Sequence, residues 1–138
     1  MLDLDSPAGA RADRRLRSEL ILWLTTVRAD GQPQSSPVWF LWDGATCLLF
    51  SQPGAQKLRN LAANPLVAVH LESDGTGEKV LTVDGTAAVD PDAPASDRLE
   101  EYQRKYRDGI HALGMTPAEL ARDFSVAVRV RPTRLRAW

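Results

Sequence analysis

The sequence predicts a mainly β protein, a small six-stranded antiparallel β-barrel with short helices tucked between the strands. Three observations carry this. Six segments rich in β-branched, aromatic and aliphatic residues follow one another in mostly hairpin order. Helical patterning is confined to short stretches between them. The last segment alternates, with Val126, Val128 and Val130 facing one way and Arg129 and Arg131 the other, as in a sheet with one wet face.

Each element has its own signal. Residues 1–10 read as a flexible leader, and 11–138 as one domain. Arg11 to Leu20 is polar and charged with few apolar positions, and is read as a short helix. Glu19 to Val27 is a strand, closed by the turn Ala29-Asp30-Gly31-Gln32-Pro33, whose Asp-Gly step tolerates positive φ. A second strand spans Gln34 to Trp42, and Asp43-Gly44 marks the next hairpin. Thr46 to Phe50 is the third strand. A helix over about 55–63 must end before Asn64-Pro65, because a residue ahead of proline avoids the helical region. Leu66 to Leu71 and Lys79 to Val89 are strands. Asp84-Gly85 within the latter reads as a bulge or sharp barrel bend. Pro94 to about Tyr106 is helical, with Leu99, Tyr102 and Tyr106 on one face. Thr116-Pro117-Ala118-Glu119 opens another helix, with proline first and a capping-box glutamate. Ser125 to Arg136 is the last strand.

Strand two is unusual in being apolar at every position from Pro37 to Trp42. Val38, Phe40 and Trp42 share one face, and Trp39 and Leu41 share the other. One face fills the barrel. The second must meet a helix, a flat ligand or another copy of the chain. A dimer interface that also holds a ligand is the favoured reading, because a small barrel has few helices to spare.

Composition excludes several classes. With 43% hydrophobic and 25% charged residues the chain is an ordinary globular domain. A net charge of −1 gives no global attraction to nucleic acid or an acidic membrane. The single cysteine, Cys47, excludes an internal disulfide and a CxxC metal site. No secretory signal and no membrane-length apolar run is read, so the expected location is cytoplasmic. No metal site is expected. His70 and Glu72 share a strand face but lack a third ligand nearby in sequence. His111 reads as exposed, and Cys47 as a buried small hydrophobe.

The chemistry concentrates after the third strand, in Ser51-Gln52-Pro53-Gly54-Ala55-Gln56-Lys57-Leu58-Arg59-Asn60. A strand that runs through a Pro/Gly turn into a helix leaves free backbone N–H groups at its mouth, and the helix dipole adds partial positive charge. Ser51 supplies a hydroxyl and Lys57 a cation. The pattern suits a phosphate. It also suits a capped surface helix with Lys57 in water. The cluster Arg11, Arg14, Arg15, Arg17 reads as a solvated helix face, and Arg129, Arg131, Arg134, Arg136 as a strand edge protected from aggregation, or both as basic groups that meet an acidic tail.

Taken together, these segments resemble the pyridoxamine 5′-phosphate oxidase-like split β-barrel family, and within it the branch that uses the deazaflavin coenzyme F420. Asp30-Gly31-Gln32-Pro33, Ser36-Pro37-Val38-Trp39-Phe40, Ser51 to Asn60 with Lys57, Val83-Asp84-Gly85-Thr86-Ala87 and the arginine-alternating last strand carry the resemblance, in that order along residues 15–138. It implies an FMN-binding-like split barrel, a homodimer and a cofactor site at the subunit interface. It further implies phosphate contacts from Ser51, Gln52 and Lys57, ring contacts from Pro37, Val38 and Trp39, and hydrogen bonds to ring heteroatoms from Ser35 and Ser36. The implied activity is hydride transfer between coenzyme F420 and a small organic acceptor. The alternatives are an FMN-dependent oxidoreductase and a non-catalytic flavin- or deazaflavin-binding dimer. The chain lacks the extra basic and carboxylate-binding positions expected of a true pyridoxamine phosphate oxidase.

Overall fold

The computed structural model describes residues 3–138. The chain runs through helix α1 (Pro7–Ser18) and strands β1 (Leu22–Val27), β2 (Pro33–Val38), β3 (Leu41–Trp42) and β4 (Cys47–Ser51). Helix α2 (Gln56–Ala63) and strands β5 (Leu66–Leu71) and β6 (Leu81–Val89) follow. Helices α3 (Glu100–Ala112) and α4 (Pro117–Asp123) then lead into the last strand, β7 (Val126–Ala137). Turn chemistry sets several boundaries. Gly31 and Gly44 take φ of +89° and +94° in the first two hairpins, a region that suits glycine. Both halves of the Thr116–Glu119 capping box form at the start of α4. Helix α1 begins at Pro7, earlier than its sequence pattern suggests. Ser6 accepts the Gly9 N–H and Pro7 occupies the first turn, where its missing donor costs nothing.

The strands form one antiparallel sheet in the order β2-β1-β5-β6-β7-β4-β3. There are seven rather than six, because the second strand is broken. Its first half pairs with β1 and its second half with β4, at opposite edges of the sheet. Only Trp39 and Phe40 separate the halves. Three residues of chain span at most about 10 Å, so the edges must come together and the sheet curls into a split barrel. Phe40 therefore leaves the ladder, and α3 supplies its missing partners. The Phe40 N–H donates to Tyr106 Oη at 2.8 Å, and Lys105 Nζ donates to the Phe40 carbonyl at 3.0 Å. Tyr106 also donates to the Leu20 carbonyl at 2.8 Å.

The barrel interior is filled by alternate residues of each strand. Phe40 and Leu49 are fully buried, and Ala12 and Leu16 of α1 are 1% exposed within the same cluster. A second apolar layer lies outside the barrel, where Leu48, Phe50 and Ala127 meet Tyr102, Tyr106, Ile110 and Leu120. Trp39 stacks on Tyr106 with centroids 4.5 Å apart, and Leu41 packs on the same cluster. The outward apolar face of strand two is thus covered by a helix. This corrects the expectation that a second copy of the chain covers it. Helix α3 also runs on to Ala112 rather than ending near Tyr106. Gly109 sits inside it, where a Cβ would lie 3.0 Å from the Trp39 ring.

The irregularity at Asp84-Gly85 is a register shift against β7. A Cβ on Gly85 would approach the Arg131 carbonyl oxygen to 2.5 Å. Backbone cannot swing aside as a side-chain tip can, so Gly85→Ala is expected to destabilise the fold by about 1–3 kcal/mol. Urea unfolding measures it, and an unchanged midpoint contradicts the close approach.

Candidate functional site

Strand β4 ends at Ser51, and Gln52-Pro53-Gly54 turns the chain into α2. Ala55 caps this helix in extended conformation, offers no side-chain acceptor, and no acidic residue occupies the first turn. Leu58 N–H reaches back to the Ala55 carbonyl at 3.1 Å, but the Gln56 and Lys57 N–H groups find no acceptor among the described residues. An uncapped N-terminus keeps its donors and its partial positive charge for something else.

Lys57 stands beside these donors. It is half-buried and has no ion pair or hydrogen bond among the described residues. Burial pulls its pKa below the ordinary lysine value, the signature of a cation partly stripped of water without a counter-ion. Arg59 is spent elsewhere, on the Gly54 carbonyl and the Gln56 amide oxygen. Asn60 locks the helix in place. It is 2% exposed, donates to Thr26 Oγ1 at 2.9 Å and Gln34 Oε1 at 3.0 Å, and accepts from the Gln56 amide at 2.9 Å. One buried amide thus ties the start of α2 to β1 and β2, and a network satisfied in this way is rigid.

A cavity of about 370 Å³ opens against this segment. Ser51, Gln52, Ala55 and Lys57 form its polar wall. Ile21, Pro37, Val38, Trp39 and Phe50 come from the barrel side, and Tyr102, Leu113, Leu120 and Phe124 from α3, α4 and their flanks. The volume lies in the range of small-ligand sites, and an apolar slot with one polar, cationic wall suits a flat ring carrying an anionic group.

Six of the eight residues singled out in the sequence meet here: Pro37, Val38, Trp39, Ser51, Gln52 and Lys57. Ser35 and Ser36 do not line the cavity. Ser35 is exposed and shares a 2.6 Å hydrogen bond with Thr25. Ser51 is 2% exposed and its hydroxyl donates to the Gln52 carbonyl at 2.9 Å, so its side chain already has an acceptor. The helical wall is the helix that the outer face of strand two leaves open as one of its three possible coverings. Its signal lay in the shared face of Leu99, Tyr102 and Tyr106, which reads as core.

Cys47 is buried and its thiol is pushed up to about 12 by desolvation, which keeps it protonated and inert. His111 is exposed. His70 stacks on Trp23 at 6.1 Å, and the Glu72 carboxylate accepts the Trp23 indole N–H at 2.6 Å. The arginines are largely committed. Arg15 pairs with Glu19 and donates to the Lys79 and Glu72 carbonyls, Arg17 pairs with Asp13, Arg129 with Asp90 and Asp43, and Arg136 with Asp84. Arg11 and Arg14 border a separate cavity of about 400 Å³ that shares no lining residue with the first.

A curled antiparallel sheet closed at a strand break, with helices packed outside it, defines a split β-barrel protein. The chain belongs to the family described as pyridoxamine 5′-phosphate oxidase, whose sequence model matches residues 9–138. Nothing matches among curated protein sequences. Among solved structures it is similar to an F420 reductase, at 30% identity over 90% of this chain and 94% of that one, with a TM-score of 0.64. It is also similar to a conserved hypothetical protein from Mycobacterium tuberculosis, at 24% identity over 96% of this chain and 85% of that one, with a TM-score of 0.76. A FAD-binding protein from Mesorhizobium loti shares the fold, at 23% identity over 92% and 89% of the two chains and a TM-score of 0.62. No described helix is long and apolar enough to cross a membrane.

Proposed function

We propose that this protein is an oxidoreductase that binds coenzyme F420 and transfers a hydride between it and a small organic acceptor. The observation that carries the proposal is Lys57, partly desolvated and unpaired among the described residues, beside two free backbone donors on the polar wall of a ring-sized cavity. Lys57 and the Gln56 and Lys57 N–H groups hold the phosphate, with the Gln52 side chain at the same wall. Pro37, Val38 and Trp39 lie along the ring. The bound coenzyme supplies the hydride-carrying carbon, and the protein supplies position and an apolar enclosure that excludes water.

One lysine and two N–H groups suit the single charge of a phosphodiester. FMN is the second reading, since its terminal phosphate carries up to two charges, and the FAD-binding structural relative supports a flavin ring in this fold. The name of the F420 reductase relative supports the first. We also propose a homodimer. The outer face of β5 is uncovered and leaves Leu66 61% exposed.

Side-by-side titration of the purified apoprotein with coenzyme F420 and with FMN tests the reading. Tighter saturable binding of coenzyme F420 is expected. Tighter FMN binding moves the assignment to the second reading, and binding of neither overturns both.

A further inference from the structure

One polar group in the cavity is unused. Tyr102 is 4% exposed, and its ring is fixed edge-on against Phe50 at 5.3 Å and tilted against Tyr106 at 5.0 Å. Its neighbour Tyr106 spends its hydroxyl on the backbone of Phe40 and Leu20. Tyr102 Oη makes no hydrogen bond among the described residues. Buried tyrosine hydroxyls ordinarily find partners. Nor is this oxygen sealed. Ser96 Oγ is the fully buried side-chain atom without a partner among the described residues, and Tyr102 Oη is not in that state. Tyr102 is also one of the residues that line the cavity. Tyr102 therefore carries a hydroxyl that is unsealed and, among the described residues, unpaired, on a ring held in place by its neighbours.

We propose that Tyr102 is a specificity-determining residue whose Oη–H donates a hydrogen bond to a carbonyl oxygen or ring nitrogen of the planar ligand in this cavity. The inference rests on the ligand reading above and adds to it the residue that selects for a ring with acceptor atoms over a purely hydrocarbon one. Burial raises the phenol's pKa, so the group stays protonated and remains a donor at physiological pH. Its role is separate from that of Lys57. The lysine meets the anionic tail and the tyrosine meets the ring.

The test compares Tyr102→Phe with the unaltered protein, using four probes: FMN, riboflavin, coenzyme F420 and the tail-less 8-hydroxy-5-deazaflavin. Phenylalanine keeps the packing against Phe50 and Tyr106 and removes the hydroxyl alone. Affinity for each ring is expected to fall about 5- to 10-fold, the size of one lost hydrogen bond, and to fall equally with and without the phosphate-bearing tail. The visible absorption band of the bound ring is expected to shift between the two proteins, which a purely structural role would not produce. Lys57→Ala shows the converse, a loss confined to the tailed probes. If the unaltered protein binds these probes and Tyr102→Phe binds them equally well with the same spectrum, the inference fails while the ligand reading survives. If the unaltered protein binds none of the four, both fail. Should Tyr102→Phe not fold, Tyr102→Met provides the affinity comparison and the band of the unaltered complex against free ring in water provides the spectral one.

Discussion

Truncating Phe40 to alanine is expected to lower folding stability by about 3–5 kcal/mol, the range for deleting a fully buried aromatic ring. Phe40 is fully buried inside the barrel at the point where one strand leaves the first edge of the sheet and reaches the last. Its ring also lies under Lys105, whose Nζ is 3.8 Å from the centroid. That ammonium is half-buried, and desolvation brings its pKa down to about 8. Removing the ring opens a cavity at the closure point and takes away the π face that the lysine uses. The surroundings cannot collapse easily, because Tyr106 and Lys105 hold the Phe40 backbone in place. Urea unfolding of the pure variant measures the loss. A change below about 1 kcal/mol would show that the closure does not depend on this side chain.

The second large effect is on binding. Lys57→Ala is expected to weaken affinity for the phosphate-bearing cofactor by about 1.5–3 kcal/mol, roughly 10- to 150-fold, as for a charge-assisted hydrogen bond. Stability should change little or rise slightly, because Lys57 has no partner to lose among the described residues and its charge is held under a desolvation penalty. The same penalty sets a pH dependence. In the free protein the Lys57 pKa lies below the ordinary lysine value, while a bound anion stabilises the ammonium and raises it. Binding therefore takes up a proton at alkaline pH. Affinity is full below the free-state pKa and falls as pH rises through it, and Lys57→Ala should abolish that alkaline limb. Isothermal titration across the alkaline range in both proteins checks the sign. Equal affinity in a folded Lys57→Ala would remove this residue from the site.

Much of this architecture was legible in the sequence because its signals are local. The bulge at Gly85, the hairpin glycines Gly31 and Gly44, and the capping box from Thr116 to Glu119 are each encoded in a few neighbouring residues. The start of α2 and the cation beside it could be read for the same reason. What escaped depends on contacts between distant segments. The split of strand two follows from both edges competing for one chain segment, and Tyr106, 66 residues beyond Phe40, supplies the partner that makes the break tolerable. Helix α3 continues past Tyr106 through Gly109, whose missing side chain leaves room for the distant Trp39 ring. Ser35 and Ser36 stood beside ring-contact candidates in sequence, but neither lines the cavity. Tyr102 shares its helix face with Tyr106, but it lines the cavity and its hydroxyl has no partner among the described residues.

The central claim is that the mouth of α2 grips an anion so that a flat ring lies against Pro37 to Trp39. A crystal structure of the protein grown with coenzyme F420 measures this directly. Phosphate density is expected within hydrogen-bond distance of the Gln56 and Lys57 N–H groups and Lys57 Nζ, with the ring along Pro37 to Trp39 and facing Leu120 and Phe124. A ring bound elsewhere, with Lys57 facing water and the cavity filled by the protein's own side chains, would contradict it.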